Sequence, residues 1–331
     1  MALQEPLRLA PRPHIKVWGG DSLKTILGQE LGDEGPIGEV WALVDRQEES
    51  TVVDQGAYEG RTLRGLMLSE RAAILGASDP SSDDTFPVLI KWLDAQQDLS
   101  VQVHPDLQAA EILGGGAESK DEFWYILSAD PGARIYLGLK QGTECKAFAS
   151  EADNTNVVNL LESYPVKAGD VVFVPSGTVH SIGAGIRLVE IQDNSNTTYR
   201  LYDWGRKGID GEPRSCQVKE ALASINYEHE PTPPRQAEIE YDGANGRAVL
   251  CESDSFRVEH LIVNQALPHD TASRAWAYVV LAGKGELTAD EVEGTWTLRA
   301  GETWLCPASL GPYRIGASDG ELSVLRVEAR A

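Results

Sequence analysis

Gly169-Asp-Val-Val-Phe-Val-Pro-Ser-Gly-Thr-Val-His180 decides the fold. Four β-branched or aromatic residues between a glycine-acid pair and a proline read as one short strand that the proline ends. Gly301-Glu-Thr-Trp-Leu-Cys-Pro307 repeats the order glycine, acid, four mainly apolar residues, proline. Upstream, Trp124-Tyr-Ile-Leu127 lines up with Ala277-Tyr-Val-Val280. The two halves therefore read as copies of one β unit. In the first copy Pro175 leads to His180. In the second Pro307 leads to Pro312, which takes the place of His180, and Ala275 takes that of Glu122. Only the first copy can ligate a metal in this way.

Two runs upstream of the motif supply further ligands. In Leu99-Ser-Val-Gln-Val-His-Pro105, Gln102 and His104 share one face of a strand, because side chains alternate with a period of two. Lys120-Asp-Glu-Phe-Trp-Tyr125 adds Glu122. His104, Glu122 and His180, with Gln102 as a fourth ligand or as the partner that orients His104, form a set that suits zinc with an open position. Ferrous iron, manganese, cobalt and nickel accept the same donors. One carboxylate against a divalent cation leaves a positive site before Lys120 and Arg200 are counted, so an anion is favoured there. His14, His229, His260 and His269 have no such company and read as structural or solvated.

The chain has 331 residues, 42% of them hydrophobic and 24% charged, which suits a globular protein of two domains. Its net charge of −22 argues against nucleic acid and anionic membranes as partners. There is no apolar run of membrane-span length and no basic-then-apolar opening, and cytoplasmic residence is expected. Cys145, Cys216, Cys251 and Cys306 are far apart and form no C-x-x-C pair, as expected of reduced thiols.

Elsewhere, Phe86-Pro-Val-Leu-Ile-Lys-Trp-Leu93 is a buried strand, and Gly38 to Val44 is another. Helices are expected over Thr62–Leu75, with Thr62 as cap and Gly76 as stop, in two pieces over 143–163, as a turn over Ala109–Leu113, and over Gln217–Ile225. A polar loop covers 78–85. The Pro-rich segment Glu228 to Arg235 is the linker candidate, and the chain beyond it reads as all-β. The expected domains are thus 1–230, catalytic with a helical section at about 60–76 and 143–163, and 231–331, without metal ligands.

Gly-x5-Pro-x-Gly-x2-His at Gly169, Pro175, Gly177 and His180 resembles the second motif of the cupin superfamily, and two copies resemble a bicupin. The implied fold class is mainly β, with two jelly-roll-like barrels and a small helical section inserted in the catalytic half. A wider string resembles the shorter bacterial form of type I mannose-6-phosphate isomerases: Trp18-Gly-Gly20, Phe86 to Asp94, Leu99 to Pro105, Lys120 to Tyr125, Pro175 to His180, and Glu190 to Asp203. This resemblance implies reversible conversion of mannose 6-phosphate to fructose 6-phosphate through a cis-enediolate. It implies one Zn2+ at His104, Glu122 and His180, sometimes with Gln102, and an essential Arg200. It further implies that Lys120 contacts substrate and that Ser100 helps bind phosphate. Glu190 is the carboxylate considered for acid-base work, or a partner of Arg200. Arg206 and Lys207 are candidates for a phosphate rim. The partner is then a small sugar phosphate, and the chain acts as a monomer. Two other readings use the same ligands: a cupin dioxygenase holding ferrous iron, and a non-catalytic sugar-phosphate-binding bicupin. Lys120 and Arg200, which an oxygenase does not need, discriminate against the first.

Overall fold

A computed structural model of the chain describes residues 3–28, 31–32, 35–79 and 84–330, so much of the expected 78–85 loop lies outside the described residues. The chain is mainly β. Strands β1 (Leu7–Leu9), β2 (Arg12–Gly20), β3 (Ile37–Leu43), β4 (Val88–Ala95), β5 (Val101–Val103), β6 (Glu122–Ala129), β7 (Arg134–Leu139), β8 (Leu161–Pro165), β9 (Asp170–Val174), β10 (His180–Ile182), β11 (Ile186–Asp193), β12 (Tyr199–Tyr202) and β13 (Arg235–Gln236) come first. All but β1 form two antiparallel sheets, ordered β13-β9-β6-β11-β4-β3-β2 and β12-β5-β10-β7-β8. The sheets face each other over one core, to which the first gives Leu93, Trp124, Ile126 and Leu188 and the second Ile135, Leu137 and Ile182.

The apolar run at β4 follows from its position. The strand is covered on both faces, so Leu93 and Ala95 join that inner core while Val88, Ile90 and Trp92 join a second core outside it. Helices α1 (Ser22–Ile26), α2 (Leu63–Leu75), α3 (Leu107–Leu113), α4 (Cys145–Glu151) and α5 (Val218–Ser224) pack around this frame. Thr62 caps α2 by accepting the Gly65 N–H at 3.0 Å, and Gly76, at φ 50, ends it. Leu63, Leu66, Met67, Ile74 and Leu75 line its buried face, as their spacing predicts.

The second half adds β14 (Glu240–Asp242), β15 (Asn245–Glu252), β16 (Phe256–Val263), β17 (Leu267–Asp270), β18 (Trp276–Ala289), β19 (Thr295–Arg299), β20 (Thr303–Cys306) and β21 (Pro312–Ala329). The sheet order is β1-β20-β18-β21-β16-β15-β14, with β17 on β21 and β19 on β18. β18 shifts register between Val280 and Gly285, and such bulges bend a strand. The far ends of β18 and β21 thereby return over the core, where Leu287 and Ile315 meet Tyr278 and Trp304.

Three details differ from expectation. Leu161–Pro165 is strand β8, not the end of a helix: its partner β7 offers an open edge, and Asn154 starts only a 3-10 turn over Thr155–Leu160. The two halves also exchange strands, since β1 pairs with β20 and β13 with β9 across the linker. Finally, hydrogen-bonded register sets the counterpart of Glu122. Glu122 stands opposite Val174 on β9, and the residue opposite the matching Cys306 is Trp276. Trp276, not Ala275, therefore occupies that place, with the Arg326 guanidinium stacked 4.1 Å from its ring. Among the described residues no helix is long and apolar enough to cross a membrane.

Candidate metal centre and its cleft

Short strands with strict register bring the ligands together. Gln102, at the middle of β5, stands opposite His180 on β10 and opposite Arg200 on β12, so three chemically active side chains lie in one row across the sheet. Glu122, the first residue of β6, approaches from the facing sheet. The ligand atoms of His104, Glu122 and His180 all lie within 4.8 Å of one another. The three residues are each 1% exposed, and Lys120 beside them is 3% exposed.

The hydrogen bonds around the imidazoles fix which nitrogen faces inward. His104 Nδ1 lies 2.9 Å from the Thr197 carbonyl, and His180 Nδ1 lies 2.9 Å from that of Thr178. A carbonyl only accepts, so each Nδ1 carries the proton and each Nε2 presents a lone pair. His104 Nε2 then faces Glu122 Oε1 at 3.0 Å and has no hydrogen-bond partner, while His180 Nε2 lies 3.8 Å from Oε2. Burial, followed by the charge of Lys120, pushes His104 down to about 3, and burial lowers His180 as well, so neither ring protonates to relieve the opposition. Burial works to raise Glu122, but Lys120 at 3.0 Å outweighs it and holds the carboxyl well below its usual range. Trp124 Nε1 donates to Glu122 Oε2 at 3.1 Å. Two neutral imidazoles and a carboxylate aiming lone pairs at one buried point are a donor set that a divalent cation fits.

Gln102 turns its amide nitrogen to His180 Nε2 at 3.2 Å, and its oxygen accepts from Ser100 Oγ at 3.1 Å. Its amide thus meets His180 rather than the expected His104, and a half-turn of the amide aims its oxygen inward instead.

A cleft of about 350 Å³ opens from this point and is lined by Ser100, Gln102, Lys120, Glu122, Glu190 and Arg200. Lys16, Trp18, Arg200 and Arg214 also border an outer cavity of about 670 Å³, so they form the neck between the two. Arg200 makes no ion pair among the described residues, and its buried Nε has no partner. Glu190 pairs with Lys91 at 2.7 Å rather than with Arg200. Burial and the charge of Glu122 raise the Glu190 carboxyl against the pull of Lys91. Lys120 Nζ lies 3.5 Å from Thr198 Oγ1. Arg206 stands apart: it lines neither cavity and is bonded to Asp203 and the Asp98 carbonyl. Lys91, Glu39, Lys16 and Arg214 are cleft residues that the sequence reading missed. A signal existed for Lys91, the sole charge in the run Phe86 to Leu93.

Fold and site together define a three-sheet β protein with a buried two-histidine, one-carboxylate centre at the foot of a cationic cleft. The family described as "Phosphomannose isomerase type I, catalytic domain" matches residues 7–127. A mannose-6-phosphate isomerase of Streptococcus mutans is 34% identical over 98% of this chain and 98% of its own. Mannose-6-phosphate isomerase ManA of Bacillus subtilis is 33% identical over 94% of this chain and 96% of its own. A crystal structure of the mannose 6-phosphate isomerase from Bacillus subtilis superposes with a TM-score of 0.88 at 27% identity, covering 98% of this chain and 99% of that one. The chain belongs to the mannose-6-phosphate isomerase family.

Proposed function

We propose that the chain interconverts mannose 6-phosphate and fructose 6-phosphate in the cleft above the centre, with zinc held by His104, Glu122 and His180. The carrying observation is Arg200, a cation without an ion-pair partner among the described residues, in register with Gln102 and His180 at the neck of a buried donor set. When bound, the metal supplies Lewis-acid stabilisation of negative charge on substrate oxygens.

The chain's own groups do the rest. Arg200, with Ser100 in the lining of the same cleft, holds the anionic substrate and the enediolate that forms when the proton next to the carbonyl leaves. Glu190 takes that proton from C2 and returns it to C1, and Lys120 carries the hydroxyl proton from O2 to O1, so the sum is an isomerisation with no redox partner. The raised carboxyl of Glu190 suits this exchange, and Lys91 keeps it in place. Among the described residues the second half contributes nothing to the lining of the cleft. One chain carries every group named, so a monomer suffices, and four unpaired cysteines suit the cytoplasm.

A coupled assay for fructose 6-phosphate formed from mannose 6-phosphate tests the reading. Wild type turns over, and Arg200→Ala loses about 10²- to 10³-fold in kcat. Oxygen uptake without sugar exchange, or binding without turnover, overturns it. An unimpaired Arg200→Ala removes that residue from the mechanism.

A further inference from the structure

Arg200 sits on an edge strand of four residues that carries a bulge between Arg200 and Tyr202, so pairing alone holds it weakly. The segment after β12 makes a second attachment. Trp204 adopts φ 58, a left-handed conformation that bulky side chains seldom take, and its indole Nε1 donates to the Leu99 carbonyl at 2.7 Å. That same carbonyl accepts from Ser181 Oγ at 2.8 Å. Arg206 Nη1 donates to the Asp98 carbonyl at 2.6 Å, and its Nε and Nη2 donate to Asp203 Oδ1 at 3.0 and 2.6 Å. Asp203 is buried, and its other oxygen lies 3.2 Å from Arg214 Nη1 at the neck of the cleft. Asp98 Oδ1 in turn accepts the Ala184 N–H at 2.9 Å, just beyond β10. One clasp thus joins the ends of β12, β5 and β10, the strands that carry Arg200, Gln102 and His180.

We infer that Trp204 and Arg206 are positioning residues that act through Arg200, and that Arg206 does not contact the substrate. Each Arg206 nitrogen is engaged by an acceptor of the protein itself, and the side chain borders neither cavity. Losing the clasp frees the edge strand and lets Arg200 leave the row. The turnover readout rests on the isomerase reading. The hydrogen-exchange readout does not.

Arg206→Met keeps the aliphatic stem and removes the donors. Its kcat falls at least tenfold with bound metal unchanged. In an Arg200→Ala background, assayed at high enzyme concentration, the same substitution changes the residual rate less than twofold, because the group it steadies is gone. A tenfold loss in both backgrounds overturns the inference. So does a tenfold rise in KM at unchanged kcat that Arg206→Lys reverses, which assigns Arg206 to the substrate phosphate. Amide hydrogen exchange gives a reading without turnover: both Arg206→Met and Trp204→Phe accelerate exchange at residues 199–202 while β11 keeps its protection. Unaltered protection at 199–202 in both variants also overturns it. An inactive wild type with accelerated exchange in the variants instead strikes the proposed function and leaves the clasp standing.

Discussion

His104 shows how one side chain's surroundings dictate its chemistry. The Thr197 carbonyl takes the Nδ1 proton, burial keeps the ring neutral, and the remaining lone pair meets a carboxylate. His104→Ala is expected to lose bound metal by elemental analysis together with turnover. Lys120→Met, which removes the ammonium 3.0 Å from Glu122, is expected to lower kcat about 10²- to 10⁴-fold, the range for a lost proton-transfer group, while retaining metal. Loss of metal in that variant reassigns Lys120 to holding the Glu122 charge. The cluster of His104, Glu122 and His180 was legible in sequence because two of only six histidines stand in motif-like runs with a carboxylate between them. Lys91 left a signal, as the sole charge in an apolar strand, but not its partner, and Arg214 left none, since an arginine in a loop takes meaning only from what it faces. The acceptors of Arg206, Asp203 and the Asp98 carbonyl, were not legible either: charge next to a motif says nothing of which acceptors the fold supplies.

Local signals identified elements well where a cap or a stop accompanied them. α2 begins at its Thr62 cap, and Thr62→Ala is expected to cost about 1 kcal/mol in denaturant unfolding. Leu66→Ala, on the buried face of the same helix, is expected to cost about 2–5 kcal/mol. Where apolar residues cluster without such marks, period alone misled. Val157, Val158, Leu160 and Leu161 fit a helical face, yet Leu161 already belongs to β8 because β7 offers it hydrogen bonds. The repeat between halves was legible as pattern but slipped by one residue on the upstream strand. Only the register between paired strands shows that Trp276 stands where Glu122 does.

Across the whole molecule, the linker reads as a boundary in composition, but the packing does not stop there. One core contains Leu66 and Met67 of α2, Ile90 of β4, and Ala277, Leu305 and Leu325 of the second half. Chain 1–230 alone leaves this core and β1 uncovered, so it is expected to show no cooperative melting by circular dichroism. His260 on β16 packs its ring 5.5 Å from Tyr125 on β6, between the halves, and its Nε2 lies 2.8 Å from Ser323 Oγ. Burial lowers it to about 4, against an ordinary value near 6.5. Below about pH 6.5 the unfolded chain binds a proton that the folded chain refuses, so stability falls as pH drops from there through about 4. His260→Gln is expected to flatten that stretch of the stability-pH curve, and an unchanged slope shows that other groups set it.

The metal centre is where the isomerase reading is most open to refutation. Apoprotein prepared by chelation and dialysis, titrated with zinc while bound metal and fructose 6-phosphate formation are followed together, is predicted to regain turnover in step with occupancy and to saturate at one ion per chain. Full turnover with no metal bound contradicts that reading.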